Sequence, residues 1–139
     1  MPEVTFVQAV NQALMYEMNA DERVLVLGED VAATGGVFRA TEGLVERYGA
    51  DRVIDTPISE TVIAGLGIGL AAEGLRPVVE IQFTGFIYPA MDQLLNHASR
   101  LRNRTRGRLT CPMVLRAAGG GLIKSPEHHS DTPEGLLAT

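Results

Sequence analysis

The segment from Val62 to Ala72 constrains the fold most, because it holds no charged residue and has three glycines at alternate positions. These are Gly65, Gly67 and Gly69. A helix without a polar face is predicted to be buried, and its glycines would let a neighbouring backbone approach closely. The glycines lie inside the predicted helix and no Gly-Lys-Ser or Gly-Lys-Thr follows them, so we interpret them as packing residues rather than a phosphate cradle.

The chain enters this helix through the sequence Asp55-Thr56-Pro57-Ile58-Ser59-Glu60. A short strand, a proline-fixed turn and the helix start together place Glu60 on the first helical turn. A carboxylate at the start of a buried apolar helix is well placed to exchange a proton with a bound heterocycle, because the removal of water raises its pKa and favours the neutral form. A simpler interpretation is that Ser59 caps the helix while Glu60 complements the helix dipole. Spacing alone leaves both interpretations open.

Strand and helix patterns alternate along the chain, which predicts a doubly wound α/β fold with a mainly parallel sheet and helices on both faces. The predicted strands are 23–28, 53–54, 77–82 and 112–116, and the predicted helices are 5–20, 41–48, 61–74 and 86–104. Ligands of such sheets bind beyond the carboxyl ends of the strands. Four segments lie at such ends, namely Glu29, the 55–60 turn, 82–86 and the histidine pair at 128–129.

Composition limits the classes of protein that the chain can represent. Its 139 residues, 45% hydrophobic and 21% charged, are typical of one globular domain, which we expect over residues 1–139 and cut short before its end. The net charge of −5 argues against nucleic-acid binding. Five arginines alternate through residues 100–108, and we interpret them either as cations at the negative end of a helix dipole or as a surface patch for an acidic partner subunit. The apolar run at 62–72 is too short to span a bilayer, and the start of the chain has no signal core, so we expect a cytoplasmic protein.

The histidines and aromatic residues near the strand ends allow several chemistries. Adjacent histidines in an extended loop point in opposite directions, so His128 and His129 are not expected to bind one metal ion. A loop histidine could instead transfer protons near neutral pH, or simply be solvated. Phe83, Phe86 and Tyr88 could stack on a flat ring or fill the core.

Six short motifs, taken together, resemble the β subunit of the thiamine-diphosphate-dependent decarboxylase component of 2-oxo acid dehydrogenase complexes, of the pyruvate or branched-chain type. The motifs are Leu27-Gly28-Glu29-Asp30-Val31, Gly35-Gly36-Val37-Phe38, Asp55-Thr56-Pro57-Ile58-Ser59-Glu60, Gly74-Leu75-Arg76-Pro77-Val78, Met91-Asp92-Gln93 and His128-His129-Ser130. They occur in family order and at family spacing along essentially all of the chain. The resemblance implies the aminopyrimidine-binding domain of that subunit, without the family's C-terminal domain.

The resemblance also implies roles for four residues. Glu60 matches the glutamate that hydrogen-bonds a pyrimidine ring nitrogen and drives the amino–imino tautomerism that activates the cofactor. Ile58 matches the position whose backbone lies against the pyrimidine, and Phe86 matches an aromatic residue that stacks on that ring. His129 matches the histidine that assists acyl transfer to the lipoyl group, whereas His128 has no comparable role.

In the family, the α subunit holds the cofactor's diphosphate and magnesium through a Gly-Asp-Gly motif, which is absent from this sequence. The resemblance therefore implies an α2β2 assembly with a shared active site, the lipoyl domain of the acyltransferase component as a partner, and a small 2-oxo acid as substrate. We expect the chain alone to be inactive. Relatives commonly have glutamine at the position of Asp131, where a carboxylate would favour protonation of His129. Two alternatives stay open, namely the pyrimidine domain of a transketolase-like thiamine enzyme and a non-catalytic interaction domain.

Overall fold

A computed structural model of the chain describes residues 3–120 and 125–138. The strands of this part are β1 (Val24–Gly28), β2 (Val53–Asp55), β3 (Arg76–Phe83) and β4 (Val114–Ala118). The helices are α1 (Phe6–Ala20), α2 (Leu44–Tyr48), α3 (Glu60–Ala72), α4 (Leu101–Arg104) and α5 (Glu134–Leu137). The strands form one sheet in the order β2-β1-β3-β4, and every pairing is parallel. The predicted α/β fold with a parallel sheet is thus confirmed.

Strand β1 is the centre of the core because all five of its residues are buried. Its side chains alternate between the two faces of the sheet, as the pleat requires. Val24 and Val26 pack on one face with Leu14 and Met18 of α1. Leu25 and Leu27 pack on the other face with Ile63 of α3 and Val79 of β3; this second cluster is completed by partly buried side chains (Ile54, Leu70, Leu75, Met113 and Leu115). A strand covered on both faces needs an unbroken apolar sequence, which explains the run that predicted it.

Helix α1 begins with a capping box, in which Thr5 and Gln8 satisfy each other's backbone N–H groups. The Gln8 N–H donates to the Thr5 hydroxyl at 3.2 Å, and the Thr5 N–H donates to the Gln8 side chain at 2.8 Å. These bonds satisfy donors that a helix start otherwise leaves free. The predicted helix from Thr5 to Ala20 is therefore confirmed at both ends.

Helix α3 is only half buried, which corrects the expectation that it is enclosed. One face packs on the sheet, where a Cβ added to Gly67 would lie 2.5 Å from the Val79 Cγ2 atom and 2.8 Å from the Met113 sulfur. The opposite face leaves Val62 and Leu66 51% and 41% exposed. Within the described residues, nothing lies within 4 Å of a Cβ added to Gly69. Gly67 is thus a packing residue, but its neighbours are side chains rather than a second backbone.

The long helix predicted from Phe86 to Arg104 is interrupted. Two 3-10 turns, Thr84–Phe86 and Tyr88–Ala90, precede a π-helical segment, Gln93–Ala98, and α4 follows after a break. Pro89 occupies the start of the second turn, where its missing N–H costs no hydrogen bond. Leu95, which lies within the π segment, is 43% exposed. None of the helices within 3–120 and 125–138 has the length and apolar character needed to cross a bilayer.

Candidate functional site

Glu60 is the first residue of α3 and is half-buried at the carboxyl edge of the sheet. Ser59 occupies the N-cap position and Glu60 lies in the first turn, as the simpler interpretation expects, but the Ser59 side chain makes no capping hydrogen bond. The first turn is held instead by Thr61, whose hydroxyl donates to the Pro89 carbonyl at 2.7 Å. This bond ties the start of α3 to the segment that follows Phe86.

A second carboxylate, Glu29, lies beside Glu60 at this edge. Burial raises the pKa of Glu29, and the charges of Asp30 and Glu60 raise it further, while a hydrogen bond from the Gln82 side chain lowers it. The end of β1, the first turn of α3 and strand β3 thus bring Glu29, Glu60 and Gln82 to the same edge of the sheet. Sequence reasoning placed Glu29 at a strand end but did not identify its pairing with Glu60. The available signal was its position directly after a buried strand.

Aromatic rings form a cluster at the end of β3. The Phe83 ring lies 5.4 Å from the rings of both Phe38 and Phe86, in edge-to-face geometry. The His129 ring joins them, 4.7 Å from Phe83 and 5.1 Å from Phe86 between ring centroids. Edge-to-face contacts of this kind hold rings in a fixed orientation. The structure therefore brings together Phe86 and His129, two of the residues selected from the sequence.

The two histidines do not point in opposite directions. They lie in a 3-10 turn, Glu127–Ser130, with their rings stacked at 4.6 Å. His128 also contacts Phe86, at 5.0 Å. The turn packs so closely on the chain after β3 that a Cβ on Gly85 would collide with the carbonyl oxygen of His128. The expectation of an extended loop was wrong because this packing fixes a tight turn.

Asp131 anchors the same turn through hydrogen bonds with Thr84 and Tyr88. Its carbonyl accepts a hydrogen bond from the Thr84 hydroxyl at 2.6 Å. Its carboxylate accepts one from the Tyr88 hydroxyl at 3.3 Å. Desolvation raises the pKa of Tyr88, and the charge of Asp131 together with this hydrogen bond raises it further. The carboxylate is therefore bound to Tyr88, so its expected effect on His129 finds no support in these contacts.

The 55–60 turn presents groups that lack partners in the described part of the chain. Ile58 is 77% exposed, an unusual position for an isoleucine side chain. The Thr56 hydroxyl is buried, and among the described residues it has no hydrogen-bond partner. Buried polar atoms are normally paired, so the Thr56 hydroxyl is expected to find its partner beyond the described residues.

These residues fit one end of a thiamine-type cofactor. A flat pyrimidine could use an aromatic or apolar surface and a carboxylate, and side chains of these types occur here at Phe86, Ile58 and Glu60. No group of three or more metal-ligating side chains occurs within 3–120 and 125–138.

Comparisons with known proteins show the family of the chain. Residues 2–139 match the family described as transketolase, pyrimidine binding domain. The chain is 55% identical over 131 residues to the 3-methyl-2-oxobutanoate dehydrogenase subunit beta of Mycobacterium tuberculosis, covering 94% of this chain and 38% of that protein. It is 51% identical to the pyruvate dehydrogenase E1 component subunit beta of Bacillus subtilis and 50% identical to that of Acholeplasma laidlawii. Those matches cover 99% and 100% of this chain but 42% of each relative.

Proposed function

The chain belongs to the family of transketolase pyrimidine-binding domains, and from this premise we propose that it is that domain of a 2-oxo acid dehydrogenase β subunit. The complete enzyme would decarboxylate a 2-oxo acid oxidatively and transfer the acyl group to lipoamide. One observation carries the proposal, namely 50–55% identity to β subunits of such enzymes along 94–100% of this chain. Because the chain spans only 38–42% of those relatives, the activity would belong to the longer assembly.

Glu60 would exchange a proton with a ring nitrogen of thiamine diphosphate. When bound, that cofactor supplies the electron sink for decarboxylation. A general acid–base residue needs a position next to the reacting nitrogen and restricted water, and Glu60 is half-buried on the first turn of α3. Glu29 beside it supports the assignment, because its raised pKa indicates that water is restricted at this edge.

Ile58 and Phe86 would hold the pyrimidine ring. The backbone at Ile58, in the 55–60 turn, would lie against the ring, and Phe86, which belongs to the aromatic cluster at the end of β3, would stack on it. Both residues belong to segments joined by the Thr61–Pro89 hydrogen bond, so their separation is fixed by the fold.

His129 would assist acyl transfer to the lipoyl group. Its imidazole is held by Phe83 and Phe86 at the same edge of the sheet as Glu60. A histidine that is fixed but half-exposed can donate or accept a proton at neutral pH. His128 would position the turn, because its carbonyl packs against Gly85.

The other half of the active site would come from an α subunit in an α2β2 assembly. Val62 and Leu66 lie one helical turn apart on α3 and are 51% and 41% exposed, which is typical of a surface covered by another protein. The diphosphate and its magnesium would lie on that subunit, because this sequence contains no Gly-Asp-Gly motif. The lipoyl domain of the acyltransferase component would reach the site from the side of His129.

Replacement of Glu60 by glutamine tests the proposal. In the complete β chain assembled with its α subunit, Glu60→Gln should lower turnover of a 2-oxo acid by at least about 10²-fold, because glutamine cannot exchange the proton. Glu73→Gln is the matched control, since Glu73 is an exposed carboxylate at the other end of the same helix. Sedimentation analysis should show that both variants still assemble.

Near-normal turnover by Glu60→Gln would contradict the role of this residue. The family match also includes transketolase, so sugar phosphates are assayed beside 2-oxo acids with lipoamide as acceptor. Activity on sugar phosphates alone would favour the transketolase-like alternative. An intact assembly without turnover of either substrate class would favour the non-catalytic alternative.

A further inference from the structure

Asp55 makes a contact that the proposed catalytic roles do not use. Its two carboxylate oxygens accept hydrogen bonds from the backbone N–H groups of Ala32, at 2.6 Å, and Ala33, at 3.0 Å. These donors lie more than twenty residues earlier in the chain, in the loop that follows β1. Hydrogen bonds to an ionised acceptor are stronger than neutral ones. Asp55 itself is exposed, so it contributes hydrogen bonding here rather than core packing.

The loop held in this way is the one that carries Glu29. At its start, the Thr56 N–H donates to the Gly28 carbonyl at 2.9 Å. Further along, Val31 is fully buried, and its carbonyl accepts a hydrogen bond from the Thr41 hydroxyl at 2.7 Å. Asp55 adds an attachment between the middle of the loop and the first residue of the 55–60 turn.

We propose that Asp55 is a positioning residue, which keeps the Glu29 carboxylate beside Glu60 by holding the 29–36 loop against the 55–60 turn. The inference rests on the proposed function, because it concerns the environment of the proton-exchanging carboxylate. Glu29 follows β1 directly, and Asp55 ends the neighbouring strand in register with Gly28. A shift of the loop would therefore move one carboxylate relative to the other without disturbing the sheet.

The test replaces Asp55 by asparagine, which has the same shape. The asparagine oxygen can accept one N–H, but its NH2 group faces the second N–H without a possible hydrogen bond. Asp51→Asn is the matched control, because Asp51 is exposed at the other end of β2 and makes no hydrogen bond or ion pair within the described residues. Both variants are made in the complete β chain, assembled with the α subunit.

Turnover is normalised to the amount of thiamine diphosphate bound, so that unfolded molecules do not contribute. Asp55→Asn should lower kcat about ten- to a hundredfold with little change in KM for the 2-oxo acid. The reason is that displacement of the Glu29 carboxylate from Glu60 would slow the chemical step without removing a contact to the substrate. Asp51→Asn should leave both unchanged. In a Glu29→Gln background, Asp55→Asn should cost less than about twofold, since residues that act through one another are not additive.

Hydrogen exchange provides a readout that does not require turnover. Peptides covering 29–36 should exchange faster in Asp55→Asn than in the wild type or Asp51→Asn, because one backbone N–H group loses its partner and the other loses a charged acceptor. If the wild-type assembly turns over no 2-oxo acid, the proposed function fails, and the exchange comparison still decides whether Asp55 holds the loop. Unchanged exchange overturns the proposal, as does an equal loss of kcat with and without the Glu29→Gln change.

Discussion

Alanine substitutions at two glycines of α3 should change stability in opposite directions. At position 67 the new methyl group would lie 2.5 Å from the Val79 Cγ2 atom and 2.8 Å from the Met113 sulfur. Val79 is fully buried in β3 and cannot move aside, so overpacking should cost about 1–3 kcal/mol. The higher helix propensity of alanine offsets about 1 kcal/mol of this cost. The net expectation for Gly67→Ala is a loss of up to about 2 kcal/mol in the free energy of unfolding.

Gly69→Ala is the matched comparison, because it introduces the same methyl group two positions along the same helix. A Cβ there meets nothing within 4 Å in the described part of the chain. Only the propensity term then applies, and the expected gain is about 0.5–1 kcal/mol. Urea unfolding of the chain, followed by far-ultraviolet circular dichroism, measures both changes. The reasoning is refuted if Gly67→Ala unfolds at the same or a higher urea concentration than Gly69→Ala.

Two further predictions concern charged side chains. The side-chain hydrogen bond from Arg23, followed by that from its backbone N–H, lowers the pKa of Asp21 from 3.8 to about 2. Because this pKa is lowered in the folded state, the ionised carboxylate stabilises the fold above pH 3.8, and this stabilisation is lost as the pH falls towards 2. Urea titrations should therefore show that Asp21→Asn lowers the free energy of unfolding at pH 5 and that the difference from the wild type disappears between pH 3.8 and pH 2. Arg116→Met should lower the free energy of unfolding by about 3–5 kcal/mol in the same assay, because the 4%-exposed Glu80 then loses the guanidinium group paired with it. Replacing both Arg116 and Glu80 by apolar residues should restore most of this free energy, because no buried charge is then left unpaired.

Much of the architecture could be predicted from local patterns. The unbroken apolar run of β1 predicted a strand covered on both faces, and the pleat divides it between the clusters on α1 and α3. The Thr5–Gln8 capping box set the start of α1. Such signals are local, and the parallel order follows from the alternation of strands with helices.

The features that escaped prediction depend on contacts between distant segments. The stacking of His128 on His129 is produced by the packing of their turn against Gly85, which no local pattern encodes. The pairing of Glu29 with Glu60 arises because β1 and β2 are neighbours in the sheet. Candidate site residues could be selected by resemblance and by position at strand ends, but their mutual geometry required the structure.

The Gly69→Ala variant can also test whether another subunit packs on the exposed face of α3. The helix has no charged residue after Glu60, yet the sheet covers only the face that includes Gly67. The uncovered side contains Val62, Leu66 and Gly69. Exposure of apolar surface to water is unfavourable, so covering this side with another protein would be favourable. If an α subunit packs there, a methyl group at position 69 should weaken that association although it stabilises the chain alone. Equal assembly of Gly69→Ala and wild type, measured by sedimentation across a dilution series, would show that the partner does not approach this glycine.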